Sequence, residues 1–417
     1  MAGPATLAQS AAILKTKYPT GDLPKEQFAN FPIVGQISKK TDWDGDDRVV
    51  AMMTENPQGS SADFPTAQGS LAQGIYSKFS ITRVEHYGLA RIRDHALKAA
   101  AGNPGALANL WDTETDGVSQ TELQGLETYL LGTGTGVLGQ IASGSSTATI
   151  TLSKPEDAAK FCINMRVQAI SANSLTATVR VGGFATITGI DRKGGTLTVS
   201  STWTGQILDL QSTDFLCRAG DAPNTITASG PSVIWGLGSY IVGGTTPGTL
   251  GGLNRNTDPV RFAGQAYNAA NQLMTEAVID SEALLTAQGR RTPKVLLAHM
   301  KDVAQMRKTA DAKSVYTRVN MDSTVAGVSY KGFQFEGDDN DITIITTPFI
   351  SRNQAFLGTL DAFALESLGS APMLMDFDSN SFLRVATDAA EEVRFGYFAN
   401  LICKSPVDWV NISNFGL

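Results

Sequence analysis

The glycine run Gly132, Gly134, Gly136 and Gly139 constrains this chain more than any other stretch, because of what stands on each side of it. Gly134, Gly136 and Gly139 spell G-x-G-x-x-G, the spacing of a dinucleotide-binding turn. That turn works only where a buried strand enters and a helix leaves, so that the helix N-terminus faces a pyrophosphate. Here the order is reversed. Helix-spaced apolar residues (Leu107, Leu110, Trp111, Val118, Leu123, Leu126 and Leu130) lead in, and a Thr-rich alternating segment, residues 147–152, leads out. The pattern reads as a helix closed by a glycine cap, with a flexible exit in which positive φ carries no steric cost. No cofactor is expected there.

A chain of 417 residues with 42% apolar content buries a large core, and its length suggests about two to three domains. The net charge of −7 argues against a surface built to grip nucleic-acid phosphates, which needs clustered cations. It leaves room for a protein that lies near nucleic acid without holding it tightly. Cys162, Cys217 and Cys403 are far apart and odd in number, so neither a zinc site nor a disulfide framework is indicated, and reduced, cytosolic folding is the simplest expectation. The first nineteen residues lack the apolar core of a signal peptide. The long uncharged run over 222–254 is too polar and too broken to cross a bilayer.

Residues 1–45 read as an arm. Residues 6–17 suit a short amphipathic helix or a disordered tail, and Pro19, Pro24 and Pro32 keep the rest extended. Two strands are expected over 48–55 and 75–85, with Ile75, Phe79 and Ile81 on one face and a Gly/Ser/Ala/Gln-rich tip between them. Eleven residues of strand reach about 36 Å, yet an isolated two-stranded hairpin has no second layer to cover its apolar face. Such an arm needs a surface, its own or a neighbouring subunit's; the polar tip favours a neighbour. A helix over about 104–131 follows, which the polar segment 112–117 can divide in two. Its sparse apolar positions imply a narrow buried stripe, as in a strut lying across another layer.

Residues 137–221 switch to β periodicity: strands over 176–181 and 184–190 joined by Gly182-Gly183, a turn over 191–195, and strands over 196–200 and 215–218. This suggests a compact barrel or sandwich of about eighty residues. Without an aromatic cluster in the strands, and with Trp203 and Trp235 the nearest indoles, a structural insert ranks ahead of a carbohydrate- or ligand-binding module. Beyond a Gly-rich connector come a helix from Phe262 to about Gln288, a buried strand over 294–298, a helix over 299–309, strands over 328–336 and 342–347, and a closing strand pair over 391–403 and 409–412.

The catalytic inventory is thin. The three histidines, His86, His95 and His299, have no metal-ligand spacing, and no G-x-S-x-G elbow or phosphate-binding P-loop occurs. Asp338-Asp339 falls in an expected turn, and Glu391-Glu392 opens a strand where neighbours point to opposite faces. Both pairs read as solvated or salt-bridged. No catalytic, cofactor or metal residue is expected, and the chain does not read as an enzyme.

The order of parts is arm, long hairpin, strut helix, glycine loop, β insert, mixed α/β half and closing strands. Taken together it resembles the major capsid proteins of tailed bacteriophages, the Hong Kong 97 fold. The residues that carry the resemblance are Tyr87-Gly88 at the end of the hairpin, 126–131 with Gly132, Gly134, Gly136 and Gly139, the helix start near Pro104, the strand–helix unit 293–308, and the ending 393–412. The resemblance implies an α+β chain with an N-terminal arm (1–45), an extended hairpin loop (46–90), a spine helix and the start of a peripheral domain (91–136), an inserted small all-β domain (137–221), and an axial domain with the rest of the peripheral domain (222–417). It further implies hexamers and pentamers closing into an icosahedral shell around double-stranded DNA, assembled in the host bacterial cytoplasm. Phe64, Tyr76, Lys78, Phe79 and Ile81 are the expected inter-subunit contacts, and scaffold, portal and decoration proteins the expected separate partners, with no membrane. Only about 45 residues precede the hairpin, so a scaffold would be a separate protein if Met1 is the true start. Some relatives join subunits covalently through a hairpin lysine. Lys78 lies on the hairpin, but without identified asparagine and acid partners that chemistry is not carried over. An encapsulin shell, a phage tail or decoration protein, and a Rossmann-type oxidoreductase stand behind the capsid reading.

Overall fold

A computed structural model describes residues 31–94, 98, 110–223, 231–289, 292–309, 318–325, 328–336, 341–375, 383–385 and 387–416. The expected arm helix over 6–17, the helix start near Pro104, His95 and Asp338-Asp339 lie outside these residues.

The β block over 137–221 closes on itself. Strands β5 (Val137–Ser143), β6 (Thr149–Leu152), β7 (Arg166–Ile170), β8 (Ala185–Asp191), β9 (Thr196–Val199) and β10 (Phe215–Arg218) form a closed barrel in the order β10-β5-β6-β9-β8-β7. Period-two alternation explains it: Ile150 and Leu152 of β6 and Leu197 and Val199 of β9 point inward, while Thr149 and Thr198 meet outside at 3.0 Å between hydroxyls. Closure leaves no strand edge unpaired. Trp203, fully buried on a single helical turn, belongs to the same core as these strands. One expected strand is absent. Residues 176–181 make only an isolated bridge, Val179 to Ile170; the Arg180 amide donates to the Ala169 carbonyl at 2.8 Å, and its guanidinium forks onto buried Asp214 at 2.7 and 2.8 Å.

A six-stranded sheet is organised by the fourteen-residue β22 (Ala390–Cys403). One edge takes β4 (Val84–Arg93); the other takes β19 (Phe363–Ser367), β20 (Met373–Leu374) and β21 (Leu383–Arg384) in succession, with β1 (Ser38–Lys40) beyond β19. Helix α3 (Leu110–Leu131) packs on this sheet and is continuous through its polar segment. The expected narrow buried stripe does not describe its second half. From Glu122 to Leu131 nearly every residue is buried, since the helix runs between this sheet, the barrel and α1 (Pro32–Gln36). Its polar residues tolerate burial because they find partners: the Gln124 amide donates to the Ala159 carbonyl at 3.1 Å and the Thr128 hydroxyl to the Gln124 carbonyl at 2.8 Å.

The remaining half is a seven-stranded mixed sheet ordered β13 (Gln265–Asn268), β23 (Val410–Ser413), β18 (Gln354–Gly358), β14 (Val295–His299), β17 (Asp341–Thr347), β16 (Val328–Glu336) and β15 (Arg318–Val325). Along β14, Leu296 and Ala298 face the core beneath α5 (Met274–Thr286) and α6 (Met300–Thr309), while Leu297 faces the main core. Burial on both faces accounts for the unbroken apolar run. Two expectations are corrected. The helix expected from Phe262 onward is divided into α4 (Pro259–Ala263) and α5, because Gly264 at φ +63° turns the chain into β13, which pairs in parallel with β23. The closing strands are not a pair either. β22 and β23 belong to different sheets, joined by a short turn at Pro406–Asp408 and by buried Trp409, whose indole donates to the Thr359 carbonyl at 3.1 Å. Trp203→Ala should cost the barrel about 3–5 kcal/mol, read from the urea dependence of hydrogen exchange in β6 and β9; a loss below about 1 kcal/mol contradicts the packing described.

Candidate assembly interface

Strands β2 (Asp47–Glu55) and β3 (Ile75–Thr82) form a separate two-stranded antiparallel ribbon with a bulge between Met53 and Glu55. At its far end the expected Gly/Ser loop contains a short helix, α2 (Phe64–Gly69). The Asp63 carboxylate caps it, accepting from the Thr66 amide at 3.2 Å and its hydroxyl at 2.7 Å. The cap turns Phe64 into solvent, 77% exposed, near Leu71 at 74% and Tyr76 at 69%.

The five hairpin residues expected at a subunit contact divide by position. Phe64, Tyr76 and Lys78 are exposed, whereas Phe79 and Ile81 are buried in the chain's own main core. That difference withdraws Phe79 and Ile81 from a contact that requires free side chains. Phe79 packs edge-on to Tyr240 at 6.3 Å, and the Ser80 amide donates to the carbonyl of Gly251, in the small hairpin formed by β11 (Thr249–Leu250) and β12 (Leu253–Asn254). Arg261 of α4 donates to the Met53 carbonyl at 2.8 Å, beside the bulge. The ribbon is therefore fixed to its own chain from its root out to the bulge, and its far end carries large apolar side chains in water.

The root continues into β4, where His86 sits in a buried polar cluster. Its Nδ1 lies 2.7 Å from Glu122 Oε2 of α3, and its Nε2 lies 3.5 Å from Asp221 Oδ2, just past the barrel. The Tyr129 hydroxyl donates to the same Asp221 oxygen, and the His86 ring stacks on Tyr397 of β22 at 5.4 Å. Burial alone would lower the His86 pKa, but hydrogen bonds and charge from Asp221 and Glu122 outweigh it and push it up to about 9. Burial raises Asp221 in turn, yet His86 and Arg218 hold it below its ordinary value. Gly88 admits this approach: a Cβ there would stand 2.7 Å from Glu122 Oε1. Alongside, the buried Asn400 amide donates to the Thr82 carbonyl at 2.8 Å while its oxygen accepts from the Trp235 amide at 2.9 Å. Hairpin root, long helix, barrel exit and closing strand are thus locked at one junction. Sequence reading missed the cluster, since Glu122 and Asp221 stand 36 and 135 residues from His86.

The glycine run lies between α3 and β5, so a helix enters and a strand leaves, as the sequence implied. Gly134 and Gly136 adopt φ +75° and +69°, and a Cβ on Gly134 would stand 2.6 Å from the Trp235 ring. Of the expected carboxylate pair, Glu392 is buried and accepts from Arg91 and from Arg394 at 2.7 Å, whereas Glu391 is half-exposed on the opposite face. Among the described residues no group of three or more His, Cys, Asp or Glu is arranged to hold a metal, and no helix is long and apolar enough to cross a membrane.

Because His86 has its pKa raised from 6.5, the stability it contributes is fully present below pH 6.5 and is lost as pH rises through about 9. Thermal denaturation should show the wild-type Tm falling across that window more steeply than the Tm of His86→Gln; parallel curves contradict the assignment.

No protein-family model matches the chain, and no curated protein matches its sequence. Among solved structures it is similar to a chain of the cyanophage A-1(L) capsid asymmetric unit, with 9% identity and a TM-score of 0.51 over 96% of each chain. A capsid chain of a native GTA particle gives 0.49 at 8% identity, covering 100% of this chain and 99% of that one. The holo-SrpI encapsulin complex of Synechococcus elongatus PCC 7942 gives 0.47 at 9% identity, covering 97% and 95%. The cyanophage likeness extends over nearly the whole of both chains, and this chain has the fold of a phage capsid subunit, the α+β Hong Kong 97-like architecture that the order of its parts implied.

Proposed function

We propose that this chain is a major capsid protein that assembles into pentamers and hexamers of an icosahedral shell around phage double-stranded DNA. The observation that carries the reading is the extended ribbon, held along its strands and apolar at its far end, on a chain whose fold is similar to that of a cyanophage capsid chain over 96% of each. Exposed Phe64, Leu71 and Tyr76 at the end of a two-stranded ribbon gain burial only from another surface. A neighbouring copy supplies it, with Lys78 on the same strand at the rim. In this reading residues 1–45 are the arm, 46–90 the extended loop and α3 the spine; the barrel is an insert, and the seven-stranded sheet belongs to the axial domain. The role is structural. The net charge of −7 suits a wall that encloses DNA without gripping it. Scaffold, portal and decoration proteins are separate partners, and assembly takes place in the host cytoplasm.

Negative-stain electron microscopy with light scattering of the chain expressed alone, and beside phage scaffold, tests the reading. Closed shells or rings of five and six subunits are expected; a monomer under both conditions contradicts it. Phe64→Asp with Tyr76→Asp should abolish assembly while leaving the monomer Tm within about 2 °C, as expected of exposed positions. Assembly unchanged by the double substitution rules out the tip as the contact. Residues 56–74 should be cut by protease in the monomer and protected in the shell, and equal protection in both states speaks against exchange between subunits.

A further inference from the structure

The two free amides that open the first helix of the described chain are both taken by one carboxylate. Glu127 of α3 has no solvent exposure. Its Oε1 accepts from the Ile33 amide at 3.2 Å and its Oε2 from the Val34 amide at 2.9 Å, with the Thr347 hydroxyl of β17 as a third donor. Ile33 and Val34 open α1, whose residue before the first turn, Phe31, supplies no side-chain cap and whose Pro32 has no amide to give. Glu127 therefore takes both free donors of this turn from 94 and 93 residues away. Ile33, Val34 and Ile37 are buried beside it, and Phe31 stacks on Phe349 at 6.1 Å.

We propose that Glu127 is a proton-linked clip: docking of the arm root onto the long helix takes up a proton at this carboxyl, so the arm is held more firmly in mildly acid than in neutral medium. The geometry is that of a carboxyl group buried without an opposing charge. Among the described residues no cation pairs with Glu127; what faces it is the two α1 amides and the Thr347 hydroxyl, none of which titrates. On its own helix Gln124 and Thr128 are neutral and otherwise bonded, and Glu122 and Tyr129 are turned to the His86 cluster. Burial raises the Glu127 pKa and outweighs the three hydrogen bonds that lower it, leaving it at about 7. When the arm root lifts away, the carboxyl meets water and returns towards its ordinary 4.5. The docked state thus binds more protons between these values. Docking is strongest below pH 4.5, weakens by up to about tenfold per pH unit as pH rises towards 7, and is level above. This window lies below that of His86, so the two effects separate. The clip is read on the free chain and stands whether or not the chain assembles.

Hydrogen exchange of the full-length chain tests it, following amides 33–37 from pH 5 to 8. Rates are corrected for intrinsic exchange and normalised to β14. Protection of the arm root should fall at least about tenfold between pH 5 and 7.5, and Glu127→Gln should flatten the profile. Thr347→Val, which removes a donor to the ionised form, should move the midpoint to higher pH and provides a second test if Glu127→Gln fails to fold. A wild-type profile without pH dependence, a Glu127→Gln profile with the wild-type slope, or an unmoved midpoint in Thr347→Val overturns the proposal.

Discussion

A two-stranded ribbon has one layer, and one layer cannot bury its own apolar face. The rest of the molecule is arranged around that constraint. Phe79 and Ile81 escape it by entering the main core, and the tip residues Phe64, Leu71 and Tyr76 do not. What the chain supplies is anchorage along the paired strands. Arg261 grips the backbone at the bulge, the Gly251 turn binds the inner strand, and β4 carries the same strand direction into the pairing with β22. A lever so anchored presents its tip at a fixed angle, which is the property a repeating contact between identical copies requires.

The junction behind the root is polar, which is an expensive choice for a buried place. Histidine, two carboxylates, a guanidinium and two phenols occupy a volume that aliphatic side chains would fill with less desolvation. Hydrogen bonds are directional where packing is not, so the cluster and Asn400 hold β4, α3, the barrel exit and β22 in one relative arrangement. Removing a single partner leaves the others buried and unsatisfied, so such a junction is intolerant of partial change. Polar contacts recur at other seams. Lys301 and Arg352 reach Glu156 across the seam between the barrel and the seven-stranded half, and buried Glu127 joins the arm root to the long helix.

Much of this architecture was legible in the residues. Alternating Thr and aliphatic side chains marked the barrel strands over 149–152 and 196–199, and the apolar run ending at Ala298 marked a strand buried on both faces. The reversed order around the glycine run was decisive, because it rests on element sequence and not on the motif itself. The misreadings have local causes. Gly264 broke a helical pattern that its neighbours continued, the strand-like segment 176–181 keeps a single bridge to its neighbour, and the polar face of α3 looked solvated because its partners are remote in the chain. Period and propensity record the local environment of each residue. They carry no information about which distant group satisfies a buried one, which is why His86, Glu122, Glu127 and Asp221 gave no signal.

The central claim is that the ribbon reaches a second copy of the chain, and Lys78 permits a direct test. Shells assembled from an equal mixture of unlabelled and ¹⁵N-labelled chains can be treated with a short amine-reactive cross-linker and digested for mass spectrometry. Cross-linked peptides containing Lys78 should include pairs of mixed isotopic origin, the signature of contact between chains. Lys78 peptides joined only to partners of the same isotopic origin would show that the ribbon folds back on its own subunit, contradicting the claim.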